Sequence, residues 1–458
     1  MSDQFQNEAE TRGVLKPSIR RFGFIDTRIT RRSLTAALDR PLSNWSCATG
    51  WITASIVFIL LTRLVGGVTT SDAFVSVNSA LAIAHGHLSC AYPPQTSLGG
   101  SPLAPPLYPL ISGGLSAIFR VGHSLPFPNG ALLGAHCSNA FVIIGKWVAP
   151  TGVLFTVVLL GYVGWFVLVA GIVTLLRASG SGRSVREVVT LLVIACAPPV
   201  IMCLNEYFHP QDLMAMGLAL AGLGCVIRQR WLVAGVLFAL AFTSQQFALL
   251  VVVPLAVTLS TQAIKRLLIG VLATLACIDG PVLIVTSDRA FKAILVGTGA
   301  STKRATLLVL THLSGNAIYV VSRVLPIVLA VALALWIRRM IVPFTLDPVT
   351  LTSLVAVALT FRLVFEVNLW GYYFMALAVV MIVLQAMQRR LSWMFVLWLV
   401  VVTYAAVDGG LANRPALAPW PMSLWQAILV PWALVLSFEP LRPLLLRRHA
   451  SVARAESP

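Results

Sequence analysis

Charge is what this sequence has least of. Only 11% of its 458 residues are charged, and just 16 are Asp or Glu. A soluble domain needs charged side chains over its surface, and this chain has too few to cover one. Other classes are excluded in the same way. The seven cysteines form no CxxC and no Cys/His metal spacing. The period-2 alternation of a membrane barrel is missing. No internal repeat is visible, so an inverted-repeat transporter has no support from the pattern. The first 46 residues are largely polar, which is not the layout of a cleavable signal peptide.

What is present is apolar. Hydrophobic residues make up 58% of the chain, and the mean hydropathy is +0.87. The apolar runs approach the length that crosses a hydrocarbon core. Backbone groups in lipid must pair within their own segment, so these runs are expected to be helices. The pattern predicts an all-α integral membrane protein, a polytopic bundle of about 12 transmembrane helices with a long first extracytoplasmic loop. Spans are expected near 47–68, 151–176, 188–204, 212–227, 231–243, 247–260, 266–286, 317–337, 349–365, 370–387, 391–407 and 425–440. The chain then divides into a basic cytoplasmic tail (1–46), a membrane domain (47–440, with the outer loop 69–150) and a second basic cytoplasmic tail (441–458). Within the loop, 102–119 carries Pro105, Pro106, Pro109 and a Gly-Gly pair, which reads as an interfacial or re-entrant piece.

The net charge of +17 would suggest nucleic acid in a soluble protein. Here the cations follow the loops, and no nucleic-acid partner is expected. With both termini inside, 23 of the 33 Lys and Arg fall on the cytoplasmic side and eight outside. Arg177, Arg183 and Arg186, Arg228 and Arg230, Lys265 and Arg266, Arg338 and Arg339, and Arg389 and Arg390 each mark one inner turn, as the positive-inside rule requires. The same counting argues that 231–260 is a short hairpin. A single helix there would invert every later loop. Arms of 13 and 14 residues reach only roughly 20 Å, so the tip at Ser244, Gln245 and Gln246 would lie below the outer surface and need polar partners.

Candidate chemistry collects on the outer side. Asp72 follows the first span by four residues, in Thr69-Thr70-Ser71-Asp72. It reads either as a helix N-cap or as a carboxylate held at the lipid–water boundary. His87 and Tyr92 lie in the turn-rich stretch that follows; His85 and His87 lack the further ligands of a metal site, and no metal is expected. Glu206, His209 and Asp212 stand three apart and would share a face if that turn is helical. Arg289, Lys292, Lys303 and Arg304 crowd one outer loop, with His312 and Arg323 after them. An outer cationic patch suits an anionic lipid phosphate. Arg362 and Glu366 are spaced to pair with each other, and Tyr372 and Tyr373 read as pocket aromatics or as ordinary interface anchors. Cys90 and Cys137 share the outer loop, where a disulfide is one option.

Several short stretches carry a family resemblance: Ser71-Asp72-Ala73-Phe74, 87–93, Pro105-Pro106-Leu107-Tyr108-Pro109, Phe208-His209-Pro210-Gln211-Asp212 and the Tyr372-Tyr373 pair. On these the chain resembles the actinobacterial GT-C membrane glycosyltransferases that use polyprenyl-phosphate sugars. The polyprenol-phosphate-mannose-dependent α-mannosyltransferases are the nearest type. The resemblance implies transfer of a sugar, mannose by analogy, from a polyprenyl-phosphate donor to a lipid or glycan acceptor on the outer face of the plasma membrane. No cofactor is implied. An inverting transfer needs one base for the acceptor hydroxyl, which the resemblance assigns to Asp72. His312, Arg289, Arg323 and Arg362 are then the candidates for the departing phosphate, and His87, Tyr92, Glu206, His209, Asp212, Gln245, Gln246, Glu366, Tyr372 and Tyr373 for the pocket. The rival reading is a transporter or flippase for a lipid-linked sugar or anionic lipid, resting on the in-membrane charges Arg63, Asp279 and Arg323. A non-catalytic scaffold is a third reading, supported by the basic N-terminal tail alone.

Overall fold

In the computed structural model the described residues are 35–64, 76, 79–80, 82–84, 86–92, 105–118, 151–205, 208–256, 258–286, 306–313, 316–340, 347–367, 369–389, 392–410 and 422–442. Asp72, Glu206, Arg289 and Cys137 lie outside them, as do most of both tails.

The described chain is helical, and its one β-type pairing is an isolated bridge between Pro41 and Ser184. In order, the helices are α1 (Asn44–Leu64), α2 (Leu107–Ile118), α3 (Thr151–Ala178), α4 (Val185–Ala195), α5 (Pro198–Asn205), α6 (Pro210–Ile227), α7 (Trp231–Ser244), α8 (Leu249–Ala256), α9 (Thr261–Thr286), α10 (Asn316–Met340), α11 (Pro348–Phe365), α12 (Met375–Met387), α13 (Trp393–Gly410) and α14 (Met422–Phe438). Each apolar run expected to span overlaps one or two of these helices. Six are long and apolar enough to cross a membrane, and α4 with α5 makes a seventh bent by 52°. The bend falls within the span expected over 188–204: Pro198 and Pro199 stand in sequence, so the ladder of backbone bonds cannot run through them. Shorter apolar helical stretches of 10–17 residues run over Trp231–Ser244, Gln246–Ala256, Gly371–Met387, Trp393–Ala406 and Ser423–Phe438.

Burial separates an inner group from an outer one. Every residue of α12 is buried, as is most of α6 and α11. By contrast α1 exposes Ile52, Ile56 and Leu60, and α10 exposes Val320, Val324 and Val328. Each set is spaced by four and forms an apolar stripe along its helix. Stripes of this kind are untenable in water and ordinary against lipid.

Glycine lets the inner helices touch backbone to backbone. Gly164 stands against the carbonyl of Pro210, with 2.5 Å between that oxygen and the position a Cβ would take. Gly171 meets the carbonyl of Gly217, Gly217 meets that of Val167, and Gly224 meets Thr174. The pairs advance together, so α3 and α6 run parallel. Gly235 on α7 and Gly270 on α9 repeat the device. Hydrocarbon gives apolar helices little reason to associate, so close approach through small residues supplies the attraction.

The prolines of 105–109 do not lie loose. Pro105, Pro106, Leu107, Tyr108 and Pro109 are all buried, and Leu107 and Tyr108 pack on Met214 of α6. Thus α2 wedges its N-terminal end among α3, α6, α7 and α9.

Adding one methyl at a close main-chain contact tests the packing. Gly217→Ala would place its Cβ against main-chain atoms of Val167 and Leu168, which cannot swing aside. It is expected to cost about 1–3 kcal/mol and to lower the thermal midpoint of the detergent-solubilised protein. Gly280→Ala, whose Cβ would meet nothing within 4 Å, is expected to leave the midpoint unchanged or raise it. Equal behaviour of the two variants would contradict the parallel α3–α6 contact.

Candidate functional site

The first turn of α6 starts the site. Pro210 opens the helix, where its missing N–H costs nothing, and Asp212 follows in that turn. A carboxylate there faces the partial positive charge of the helix start. Before it the chain reverses through a φ of +51° at Phe208, and His209 has φ −113° and ψ 58°. Phe208 and His209 are therefore not helical, so no helical turn joins His209 to Asp212, and Glu206 lies outside the described residues.

Asp212 is buried, and its Oδ1 accepts a 2.6 Å hydrogen bond from Gln245 Nε2. Gln245 is extended (φ −161°, ψ 137°) between α7 and a 3₁₀ turn over Gln246–Ala248, and its Oε1 accepts from Gln246 N at 3.1 Å. The polar tip of the short hairpin thus closes onto Asp212.

Aromatic and charged groups continue outward from this pair. The His209 ring stacks on Tyr372, with centroids 4.3 Å apart and planes 17° apart. Its Nδ1 lies 2.9 Å from the Gln211 amide nitrogen. Tyr372 meets Tyr373 edge-on at 4.7 Å. Arg362 lies 4.9 Å over the Phe247 ring and 5.1 Å over the Tyr373 ring, each within cation–π range. Its Nε is 3.4 Å from Glu366 Oε2, and Arg323 Nη1 is 3.6 Å from the same oxygen. One buried carboxylate therefore holds two guanidiniums.

Five elements thus bring His209, Asp212, Gln245, Arg323, Arg362, Glu366, Tyr372 and Tyr373 into one array, with Gln246 half-buried at its edge. The i,i+4 pairing of Arg362 with Glu366, one option in the sequence, is realised. Arg323 is not a lone charge in mid-span, because it shares that carboxylate. His312 ends a 3₁₀ turn over Val309–Thr311 in left-handed conformation (φ 56°) and is exposed. Its turn is fastened beside the array: Thr306 Oγ1 donates to Val367 O at 3.3 Å, and Leu307 N donates to Gln426 Oε1 at 2.7 Å. Gln426 Nε2 in turn donates to Leu363 O at 2.6 Å.

His87 and Tyr92 lie elsewhere. His87 precedes a 3₁₀ turn over Leu88–Ala91, and Tyr92 is buried against Ala91 and Val282 of α9. Burial first, and the nearby Asp279 second, push the Tyr92 phenol well above its ordinary range, so it acts as a hydroxyl. Asp279 is buried with neither carboxylate oxygen hydrogen-bonded. Between the two groups stands α2, whose Tyr108 packs on Met214 near the array and whose Leu110 packs by Tyr92. Arg63 is exposed in the last turn of α1.

Sequence reasoning missed Phe247 and Gln426, and it left Asn205 and Gln211, both in the outer turn, out of the pocket. The amides were legible as polar residues next to or inside apolar runs; nothing in the sequence marks Phe247 as the face beneath Arg362. Both amide atoms of Asn205 and the Gln211 Oε1 are buried without a hydrogen-bond partner. Among the described residues no three His, Cys, Asp or Glu side chains are grouped to hold a metal ion. No family model matches the chain, and no curated protein matches it.

The array makes its own stability prediction. Gln245→Ala removes the partner of a buried carboxylate, a loss expected to cost about 1–3 kcal/mol. Glu366→Gln leaves two guanidiniums without their counter-charge and is expected to cost about 3 kcal/mol. Both should appear as lower thermal midpoints of the purified protein, with Glu366→Gln the larger fall. A Glu366→Gln protein as stable as wild type would mean that the two ion pairs contribute nothing.

Proposed function

We propose that this chain is a membrane glycosyltransferase that moves a sugar, mannose by resemblance, from a polyprenyl-phosphate donor to a lipid or glycan acceptor. In this reading it is a plasma-membrane protein of about 12 spans, with both termini cytoplasmic and the loop 69–150 outside. The observation that supports it is the array itself: acids, amides, guanidiniums and stacked aromatic rings converge inside an apolar bundle. Polar groups buried this way are costly and are kept where they bind or react. The array draws on stretches that carry the family resemblance, Phe208-His209-Pro210-Gln211-Asp212 and Tyr372-Tyr373.

The chemistry needs few groups. Asp72 takes the proton from the acceptor hydroxyl as its oxygen attacks the anomeric carbon from the face opposite the phosphate. The bond from that carbon to the phosphate oxygen breaks, and the polyprenyl phosphate departs as a weak base that needs no proton. A glycoside hydrolase, by contrast, needs a second carboxyl as acid. Charge developing on the phosphate is met by Arg323, Arg362, His312 or Arg289. Glu366 holds Arg323 and Arg362 in fixed positions, so little reorganisation is needed when the phosphate charge grows.

A transporter or flippase is the second reading. Asp279 favours it: a carboxyl within an apolar helix, both oxygens unpartnered, is the type of group found on translocation paths.

The deciding experiment follows radiolabelled mannose from polyprenyl-phosphate mannose into membrane lipids. Wild type is expected to transfer it. Asp72→Asn at equal membrane level is expected to lose about 10²–10⁴-fold. An unaffected Asp72→Asn protein would remove Asp72 as base and leave Glu206 or Asp212. Transfer by neither protein, with flux in reconstituted vesicles that is lost in Asp279→Asn, would establish the transport reading instead.

A further inference from the structure

The opposite end of the bundle carries a second cluster that the proposed transfer does not use. Gly164 on α3 is level with Pro210, and α3 ends at Ala178, so this cluster lies roughly 20 Å along the helix from the array. There the chain before α1 is pinned to the α3–α4 turn. Leu42 N donates to Arg183 O at 2.9 Å, and Val185 N donates to Arg40 O at 3.1 Å.

The acids of this cluster are outnumbered. Glu187 is fully buried and fully engaged: it accepts from Trp51 Nε1 at 2.9 Å, Arg183 N at 2.8 Å and Arg177 Nε at 3.3 Å. Asp39 alone serves two further guanidiniums. Its Oδ1 is 2.9 Å from Arg186 Nε and 4.0 Å from Arg389 Nε. Arg186 is buried, yet its Nη2 has no hydrogen-bond partner. Arg389 donates from Nη2 to Gly180 O at 3.4 Å and keeps 57% of its side chain exposed. Arg40 and Arg183 are exposed as well. Among the described residues, Arg177, Arg186 and Arg389 thus share two carboxylates, one of which is saturated, and the exposed Arg40 and Arg183 add two further cations to the same region.

Two tryptophans frame the surplus. Trp45 follows Arg40 by five residues and Trp393 follows Arg389 by four, and each is 85% exposed. A Trp left bare at a helix end beside arginines suits the headgroup layer, where the indole is half apolar and half hydrogen-bonding. A free phosphate in water would gain nothing from those rings.

We propose that this end of the bundle binds the phosphate of an anionic phospholipid, held by Arg183, Arg186 and Arg389, with Trp45 and Trp393 set in the surrounding headgroups. The oxyanion supplies the missing acceptor for Arg186 Nη2 and shares Arg389 with Asp39. Charge-assisted, forked contacts of this kind are what guanidinium offers a phosphate. The site is independent of the transfer reaction, so its fate does not depend on that reading.

The test uses the purified full-length protein in mild detergent, titrated with phosphatidylglycerol, phosphatidylcholine or inorganic phosphate. Retained lipid is read by native mass spectrometry and the thermal midpoint is read in parallel. Phosphatidylglycerol is expected to bind and raise the midpoint, and the other two are not. The exposed-residue variant Arg183→Gln/Arg389→Gln, checked for folding by circular dichroism and gel filtration, should weaken phosphatidylglycerol binding about thirtyfold, about fivefold per guanidinium. Trp45→Ala/Trp393→Ala should weaken it too. Equal retention of the two lipids, equal binding by wild type and the Arg183/Arg389 variant, or protection by inorganic phosphate as strong as by the lipid would each overturn the proposal.

Discussion

A backbone in hydrocarbon has no water to bond with, and the rest of this structure depends on that constraint. It makes the apolar runs helical. It also removes the usual reason for helices to associate, because lipid tails are as apolar as Leu or Val. The chain answers with glycine. Where α3 meets α6 and α7 meets α9, each glycine admits a neighbouring main-chain carbonyl at a distance no side chain would allow. These contacts fix the inner helices closely enough for polar groups on different helices to meet.

The same constraint explains how the polar groups are arranged. Asp212 would be intolerable alone in the bundle; Gln245, at the tip of a hairpin with short arms, reaches it. The short arms and the buried acid are two sides of one solution, since the tip needs a partner inside and the acid needs a donor. At Glu366 a single carboxylate pairs with two guanidiniums from two helices, and aromatic faces cover one of them. Asp39 plays the matching part at the other end with Arg186 and Arg389. There the surroundings differ: half of Arg389 is open and bare tryptophans stand beside it. One end encloses its charge among aromatics, and the other presents a surplus of charge outward.

Helix positions were legible because each rests on a property of a continuous segment, namely an apolar run bounded by cations, prolines or polar turns. The hairpin was legible for the same reason, from the length of its arms and the sign of the loops around it. The break between α4 and α5 could have been read from Pro198 and Pro199. Pairing of Arg362 with Glu366 was half legible, since the i,i+4 spacing allows it and only the neighbouring helix shows that Arg323 joins them.

The sequence by itself determined that this is an all-helical membrane chain, where its helices lie, and which rare polar residues interrupt its apolar runs. These are local matters of composition and period. Only the tertiary structure decided which of those polar residues meet. His209 stacks on Tyr372 across a separation of 163 positions, Asp212 meets Gln245 across 33, and Tyr92 is carried to α9 and away from the array. A segment carries no record of its partners, because partnership depends on helix order in the bundle, on the rotation of each helix and on the few glycines that let two backbones touch.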